Sequence, residues 1–168
     1  MADPAQTDET PRDGERPDCL ARRLAVTKAI VVGRRHPGSL IIGADTVVAE
    51  GGQWYGKPKN DQNAREILRH LSGQRHQVYT GVAVWDPARG WGSTSIAVAH
   101  VTFRPLSALE IADYVQSGEP LDKAGAYAIQ GRAGQWVVAF EGNLETVIGL
   151  PLDVLQKLLS YGNSGRRP

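Results

Sequence analysis

The sequence has little cysteine and no long apolar run, and both absences narrow the class of protein. Cys19 is the only cysteine among 168 residues, so no disulfide can form within the chain. No apolar stretch approaches the ~20 residues that a membrane-spanning helix requires. The polar, acidic start from Met1 to Arg16 does not resemble a secretory signal peptide. We therefore expect a cytoplasmic protein that does not bind a membrane.

Excess charge and the familiar catalytic motifs are also missing. The formal net charge is only +1, which gives no overall field to attract nucleic acid, and the pair Arg166-Arg167 is too small a basic patch to do so. The four histidines lack zinc-ligand spacing, and His76, expected in a loop, is left without an assigned role. Neither a serine-hydrolase elbow nor a Walker motif occurs. A nucleic-acid partner and a serine triad are thus not supported.

Hydrophobic periodicity predicts an α/β domain in which a mixed sheet is flanked by helices. We expect a single domain over residues 1–168, with 1–7 and 162–168 disordered. Four helices are predicted. The first starts at an Asp18 N-cap and ends near Gly33, and the second spans Asp61–Leu71. The third runs from a capping box at Ser107 to Gly118, and the fourth spans Leu152–Leu159. The predicted strands are the apolar run Leu40–Ala44 with its continuation Val47–Ala49, a hairpin of Gln77–Trp85 and Ser93–Phe103, and short strands at Tyr127–Gln130, Gln135–Phe140 and Thr146–Ile148.

Asp45 is the most suggestive position for chemistry. It directly follows the apolar run Leu40–Ala44, and ligand sites in α/β sheets collect where strands end. A carboxylate there can hold a divalent cation or activate a water molecule. The alternative is a turn aspartate that accepts a hydrogen bond from a backbone N–H.

Two further polar residues have a functional and a structural interpretation. Lys57 lies in the loop Gly56-Lys57-Pro58 before a helix, where its ammonium can meet a phosphate or simply be exposed to solvent. Gln130 lies on an expected buried strand, where its amide can read a base edge or bond to neighbouring backbone. The residues alone leave both questions open.

Several separate motifs together resemble the Maf family, the septum-formation-inhibitor-like nucleotide pyrophosphatases. They are GADTVV at 43–48, GKP at 56–58, LSG at 71–73, VYTGV at 78–82, EPLDKAGAYAIQG at 119–131, Asn143, and GLPL at 149–152. The resemblance covers roughly residues 8–159. It implies a fold like that of the inosine-triphosphate pyrophosphatases, with a long, mixed, curved sheet in an elongated domain.

The resemblance also implies an activity and a set of site residues. The expected reaction is hydrolysis of dTTP or UTP to the monophosphate and pyrophosphate with a divalent cation, Mg²⁺ or Mn²⁺, and a homodimer is an expected assembly. Asp45 matches the proton acceptor and, with Glu9, the metal ligands. The expected substrate-binding residues are Thr46, Gln130, Lys28, Lys57 and Lys123.

One expected segment has no counterpart in this sequence. The family normally opens with a strand and a Ser-x-Ser-Pro-Arg-Arg loop, whereas only seven residues precede Asp8 here. Losing two arginine contacts to phosphate would cost roughly 3–6 kcal/mol, or about 10²–10⁴ in affinity or rate. The alternatives to an active enzyme are therefore an impaired, truncated remnant that binds nucleotide and an interaction protein in cell division. A start site placed too late is another explanation.

Overall fold

The computed structural model describes residues 2–164. The helices are α1 (Pro17–Arg35), α2 (Asp61–Leu71), α3 (Ala108–Gln116), α4 (Leu144–Ile148) and α5 (Leu152–Ser164). The strands are β1 (Ile41–Glu50), β2 (Gln53–Tyr55), β3 (Arg75–Asp86), β4 (Trp91–Phe103) and β5 (Val137–Glu141). Short 3₁₀ turns occupy Glu119–Asp122, Ala124–Ala126 and Arg132–Trp136. The predicted α/β class with a sheet and flanking helices is confirmed.

The strands form one five-stranded sheet in the order β2-β1-β3-β4-β5. The pair β1/β2 is antiparallel, with Val48 opposite Tyr55, and the two glycines at 51–52 make the turn between them. The pair β4/β5 is also antiparallel, with His100 opposite Glu141 and an irregularity at Thr102/Phe103. The predicted hairpin at residues 77–103 is confirmed by β3 and β4.

Helix ends follow their capping chemistry. The Asn60 side chain accepts a hydrogen bond from the backbone N–H of Asn63, so α2 begins and ends where the sequence predicts. Ser107 and Glu110 form the predicted capping box of α3. The N-cap of α1 is Arg16 rather than Asp18, because Pro17 fits the first helical position and leaves Asp18 in the first turn.

The chain divides into two compact units, and each has its own core. The first comprises residues 1–45, 80–97 and 149–168, and the second comprises residues 46–79 and 98–148. In the first unit, small residues of α1 such as Ala25 and Ala29 pack with Ile41 and Ala83. In the second, Phe103, Tyr114, Tyr127 and Trp136 form a buried aromatic cluster with the apolar faces of α2 and α3. The single domain predicted from sequence stays a prediction.

Three local predictions differ from the structure. Residues 127–130 form extended chain and a turn rather than a strand. Residues 146–148 belong to α4 rather than to a strand. Asn143 caps this helix by accepting a hydrogen bond from the backbone N–H of Glu145 at 2.9 Å, and this cap outweighs the strand preference of the β-branched residues. The last helix continues to Ser164 instead of ending at Leu159, so 162–164 are helical, and residues 165–168 lie outside the described part.

The apolar run before Asp45 is buried on one face only. Ile41 and Gly43 face the core, whereas Ile42 is 46% exposed, because successive side chains of a strand point to opposite faces. Among the described residues, no helix combines the length and the apolar character needed to cross a bilayer.

Candidate functional site

Within the first unit, Gly43 brings helix α1 and the first half of strand β1 into close contact. A Cβ at this position would overlap the carbonyl oxygen of Ala25 and would lie 2.9 Å from the backbone nitrogen of Ala29. Only glycine therefore permits this approach. Asp45 is two residues further along β1, so its side chain projects from the same face as Gly43, toward α1.

Lys28 of α1 meets two carboxylates at this contact. Its ammonium donates a hydrogen bond to Asp45 Oδ1 and forms an ion pair with Glu9 Oε1 at 2.6 Å. The side chains of Lys28 and Asp45 are 19% and 10% exposed, whereas that of Glu9 is 47% exposed. We call Glu9, Lys28 and Asp45 the carboxylate–lysine cluster. Three residues that the sequence predicts for one site are thus brought together, although their roles stay predictions.

The electrostatics of Lys28 follow from this geometry. Burial disfavours the charged ammonium and by itself lowers the pKa of Lys28, but the hydrogen bonds to Asp45 and Glu9 outweigh burial, so the net pKa is raised. Lys28 is therefore positively charged at neutral pH. The carboxylates of Glu9 and Asp45 together stabilise the positive charge of the Lys28 ammonium.

The segment that carries Glu9 is fixed by an arginine that the sequence analysis did not select. Arg23 of α1 donates two hydrogen bonds of 2.7 Å to Glu15, and it also donates to the backbone carbonyl of Thr10 at 3.1 Å. The Arg23 hydrogen bond lowers the pKa of Glu15 to about 2. The same hydrogen bond to Glu15 is the main cause of the raised pKa of Arg23, and the charge of Asp45 adds a smaller contribution. No pattern in the sequence pairs Glu15 with Arg23.

Asp45 was expected at the end of a strand, and this prediction is wrong. It occupies the middle of β1, which continues through Thr46 to Glu50. The strand passes through the polar pair because the residues that follow, Val47 and Val48, are buried and keep the chain extended. The neighbouring helix α1, and not a strand terminus, forms the surroundings of the carboxylate.

In the second unit, the loop that holds Lys57 lies against the segment that holds Lys123. The backbone N–H of Gly125 donates to the carbonyl of Gly56 at 3.0 Å. Asp122 pairs with Lys123 at 2.6 Å, and that hydrogen bond, with a smaller contribution from the charge of Lys57, lowers the pKa of Asp122. The segments that carry the two predicted phosphate-binding lysines therefore lie next to each other, and the Asp122 carboxylate interacts with the charges of both.

The backbone of this region is tightly constrained. Gly125 has a φ of +69°, and a Cβ there would lie 2.6 Å from the Val48 side chain. The next residue, Ala126, also has a positive φ, 61°, although it is not glycine, and it is fully buried. Such a conformation is costly for alanine and persists only where the surroundings impose it, which is common at functional sites.

Gln130 and His76 lie in surroundings different from those predicted. Gln130 is exposed in a turn rather than buried in a strand. His76 is fully buried in β3 rather than in a loop, with its Nε2 2.9 Å from the Tyr127 hydroxyl and its ring edge-on to Phe103. Burial lowers the pKa of His76 to about 4, so the ring is neutral. His76 is part of the core.

Together, the fold and its polar residues define a class: an α/β protein with a carboxylate–lysine cluster on a helix–strand contact and two lysines in neighbouring loop segments. The family model for Maf-like proteins matches residues 1–161. The chain is 48% identical over 155 residues to the dTTP/UTP pyrophosphatase of Myxococcus xanthus, covering 92% of this chain and 78% of that protein. It is 44% identical over 156 residues to the dTTP/UTP pyrophosphatase of Aquifex aeolicus, covering 93% and 80%. This chain belongs to the Maf-like protein family.

Proposed function

We propose that this chain hydrolyses dTTP and UTP to the nucleoside monophosphate and pyrophosphate. The observation that carries the proposal is the carboxylate–lysine cluster of Glu9, Lys28 and Asp45, found in a member of this family. The relatives at 44–48% identity are dTTP/UTP pyrophosphatases, which supports the same reaction. A carboxylate beside a lysine provides both a base and a charge that attracts polyphosphate.

Asp45 is the general base in this proposal. Its carboxylate accepts a proton from the water that attacks the α-phosphorus. A new P–O bond forms as the bond from the α-phosphorus to the bridging oxygen breaks, and pyrophosphate leaves with the electron pair. Lys28 orients the Asp45 carboxylate through their hydrogen bond and presents a positive charge to the polyphosphate.

The cofactor in the proposal is a divalent cation, Mg²⁺ or Mn²⁺, held by Glu9 and Asp45. Residues 2–164 contain no group of three or more potential ligands from His, Cys, Asp or Glu. Two carboxylates that share one ammonium nevertheless fit Mg²⁺, which commonly binds one or two carboxylates together with substrate phosphate oxygens. When bound, the ion neutralises charge that develops on those oxygens.

Four other residues keep the substrate-binding roles that the family resemblance predicts. They are Thr46, Lys57, Lys123 and Gln130. The ammonium groups of the two lysines suit phosphate, and the Gln130 amide suits the base of a pyrimidine nucleotide, which offers both hydrogen-bond donors and acceptors.

A cytoplasmic location and a homodimeric state are also proposals. The single cysteine, Cys19, agrees with a reducing compartment. Light scattering of the purified protein tests the second proposal, because a mass near twice 18.2 kDa indicates a dimer.

The function is tested by pyrophosphate release from dTTP and UTP with Mg²⁺ or Mn²⁺. Asp45→Asn keeps the size of the side chain but removes the base, so we expect kcat to fall about 10²–10⁴-fold. Asp113→Asn is the matched control, because Asp113 is exposed on α3. A wild-type protein that releases no pyrophosphate, or an Asp45→Asn protein with unchanged kcat, overturns the proposal.

A further inference from the structure

Side-chain hydrogen bonds hold the backbone at both ends of the turn that contains Gln130. The backbone N–H of Gly131 donates to the carbonyl of Ala128 at 3.0 Å, which closes a four-residue turn over 128–131. Gln130 is the third residue of this turn and is exposed. Within the described chain its side chain makes no hydrogen bond. Its amide is thus available to a ligand, and only the backbone fixes where it points.

Tyr114 holds the first end of the turn. Its hydroxyl oxygen accepts a hydrogen bond from the backbone N–H of Ala128 at 3.1 Å. The ring lies on α3, is almost completely buried, and packs edge-on against Trp136 with ring centroids 4.7 Å apart. The hydroxyl position is therefore set by the rigid core.

Glu119 holds the second end. Its Oε1 accepts a hydrogen bond from the backbone N–H of Arg132 at 3.1 Å. A Cβ on Gly131 would overlap this carboxylate, with the Glu119 Cδ only 2.6 Å away. The absence of a side chain at 131 lets the backbone pass directly against the carboxylate, so the glycine and the glutamate depend on each other.

The two anchors are joined by a hydrogen bond from the Tyr114 hydroxyl to Glu119 Oε1 at 2.9 Å. Because an ionised carboxylate only accepts, the Tyr114 proton must point to Glu119, and its oxygen is left to accept from Ala128. Burial raises the pKa of Tyr114, so the hydroxyl stays protonated. The result is a chain of hydrogen bonds in which each strengthens the next.

We propose that Tyr114 and Glu119 are positioning residues that determine nucleotide selectivity, because they hold the turn of Gln130 in the conformation that reads the base. The inference rests on the proposed function and deepens it. Neither residue contacts the substrate in this account. Both act through the backbone of residues 128–132.

The kinetic test uses Tyr114→Phe, Glu119→Ala and the conservative Glu119→Gln. We expect the first two to raise KM for UTP about 10-fold, to change kcat less than 3-fold, and to reduce the preference for UTP over GTP by a similar factor. Glu119→Gln keeps an acceptor oxygen and should recover most of the loss. Tyr161→Phe and Glu66→Ala are the matched controls, since both side chains are exposed on helices.

Hydrogen exchange provides a readout that does not need activity. The amides of Ala128 and Arg132 should exchange slowly in the wild-type protein, and they should become fast in Tyr114→Phe and Glu119→Ala respectively. Unchanged KM and selectivity in folded variants with fast amides overturn the inference, because the anchors would then be structural only. Slow amides in both variants overturn it as well.

The inference and the proposed function can fail separately. If the wild-type protein binds UTP more tightly than GTP but releases no pyrophosphate, the proposed function fails, and the same variants are compared by binding affinity instead of KM. If it shows no preference between the two nucleotides, the selectivity role of Tyr114 and Glu119 is wrong even where hydrolysis occurs.

Discussion

Replacing Gly43 with alanine is expected to separate the two elements that form the carboxylate–lysine cluster. The new methyl carbon would overlap the Ala25 carbonyl and lie 2.9–3.0 Å from backbone and side-chain atoms of Ala29, whereas ordinary contacts start near 3.4 Å. The nearest obstacles are main-chain atoms of α1, which cannot rotate away. Helix and strand must therefore move apart by roughly half an ångström or more.

The magnitude follows from overpacking and from misplacement of the base. Overpacking of this kind costs about 1–3 kcal/mol of unfolding free energy. A displacement of about 1 Å between catalytic groups can reduce rate by about 10²-fold. Since Lys28 and Asp45 lie on the two elements that separate, we expect kcat for pyrophosphate release to fall more than the loss of folded protein explains.

The assay combines thermal unfolding with steady-state kinetics at a temperature where both proteins are folded. Gly38→Ala is the matched control, because a Cβ at Gly38 meets no atom within 4 Å. The control should retain the wild-type midpoint and kcat. A Gly43→Ala protein with wild-type stability and kcat would refute the argument that this glycine sets the helix–strand distance.

Two further predictions concern stability and pH. Burial lowers the pKa of His76 to about 4, so as the pH falls from 6.5 to 4 the unfolded chain binds a proton that the folded protein does not. The free energy of unfolding should therefore fall by up to about 1.4 kcal/mol for each pH unit over this range. In urea titrations His76→Gln should flatten this pH dependence, and an identical slope in both proteins would contradict it. Arg23→Gln leaves the nearly buried Glu15 carboxylate without its partner and should destabilise the protein by about 1–3 kcal/mol at pH 7. The difference in unfolding free energy from wild type should narrow as the pH falls from 4.5 toward 2, because Glu15 then becomes protonated. A constant difference over that pH range in the same titrations would exclude the Arg23–Glu15 pair as the cause.

Local patterns in the sequence predict those parts of the fold that depend on neighbours along the chain. Helix α2 has an apolar face with helical spacing and an asparagine cap, so its limits follow from residues 60–71 alone. The hairpin of β3 and β4 follows from its turn and its β-branched strands. These elements need no knowledge of distant contacts.

Tertiary contacts decide the features that the sequence analysis missed. Gln130 lies in a turn because Tyr114 and Glu119, 16 and 11 residues earlier in the chain, bind the backbone on either side of it. The Arg23–Glu15 pair likewise joins residues eight positions apart across an irregular segment. Hydrophobic periodicity contains no information about such polar contacts.

The prediction that Glu9, Lys28 and Asp45 lie together depends on the family resemblance more than on spacing. Asp45 alone fits a turn as well as a base, and Lys28 lies inside a helix without any local signal. The structure adds the reason that they meet, which is the close approach at Gly43.

Hydrolysis of UTP in ¹⁸O-labelled water tests whether water attacks the α-phosphorus next to Asp45. Mass spectrometry of the products identifies the phosphorus that was attacked. We expect one ¹⁸O atom in UMP and none in pyrophosphate, and we expect the labelled UMP to be lost in Asp45→Asn. Label in pyrophosphate, or release of orthophosphate with UDP, would contradict it.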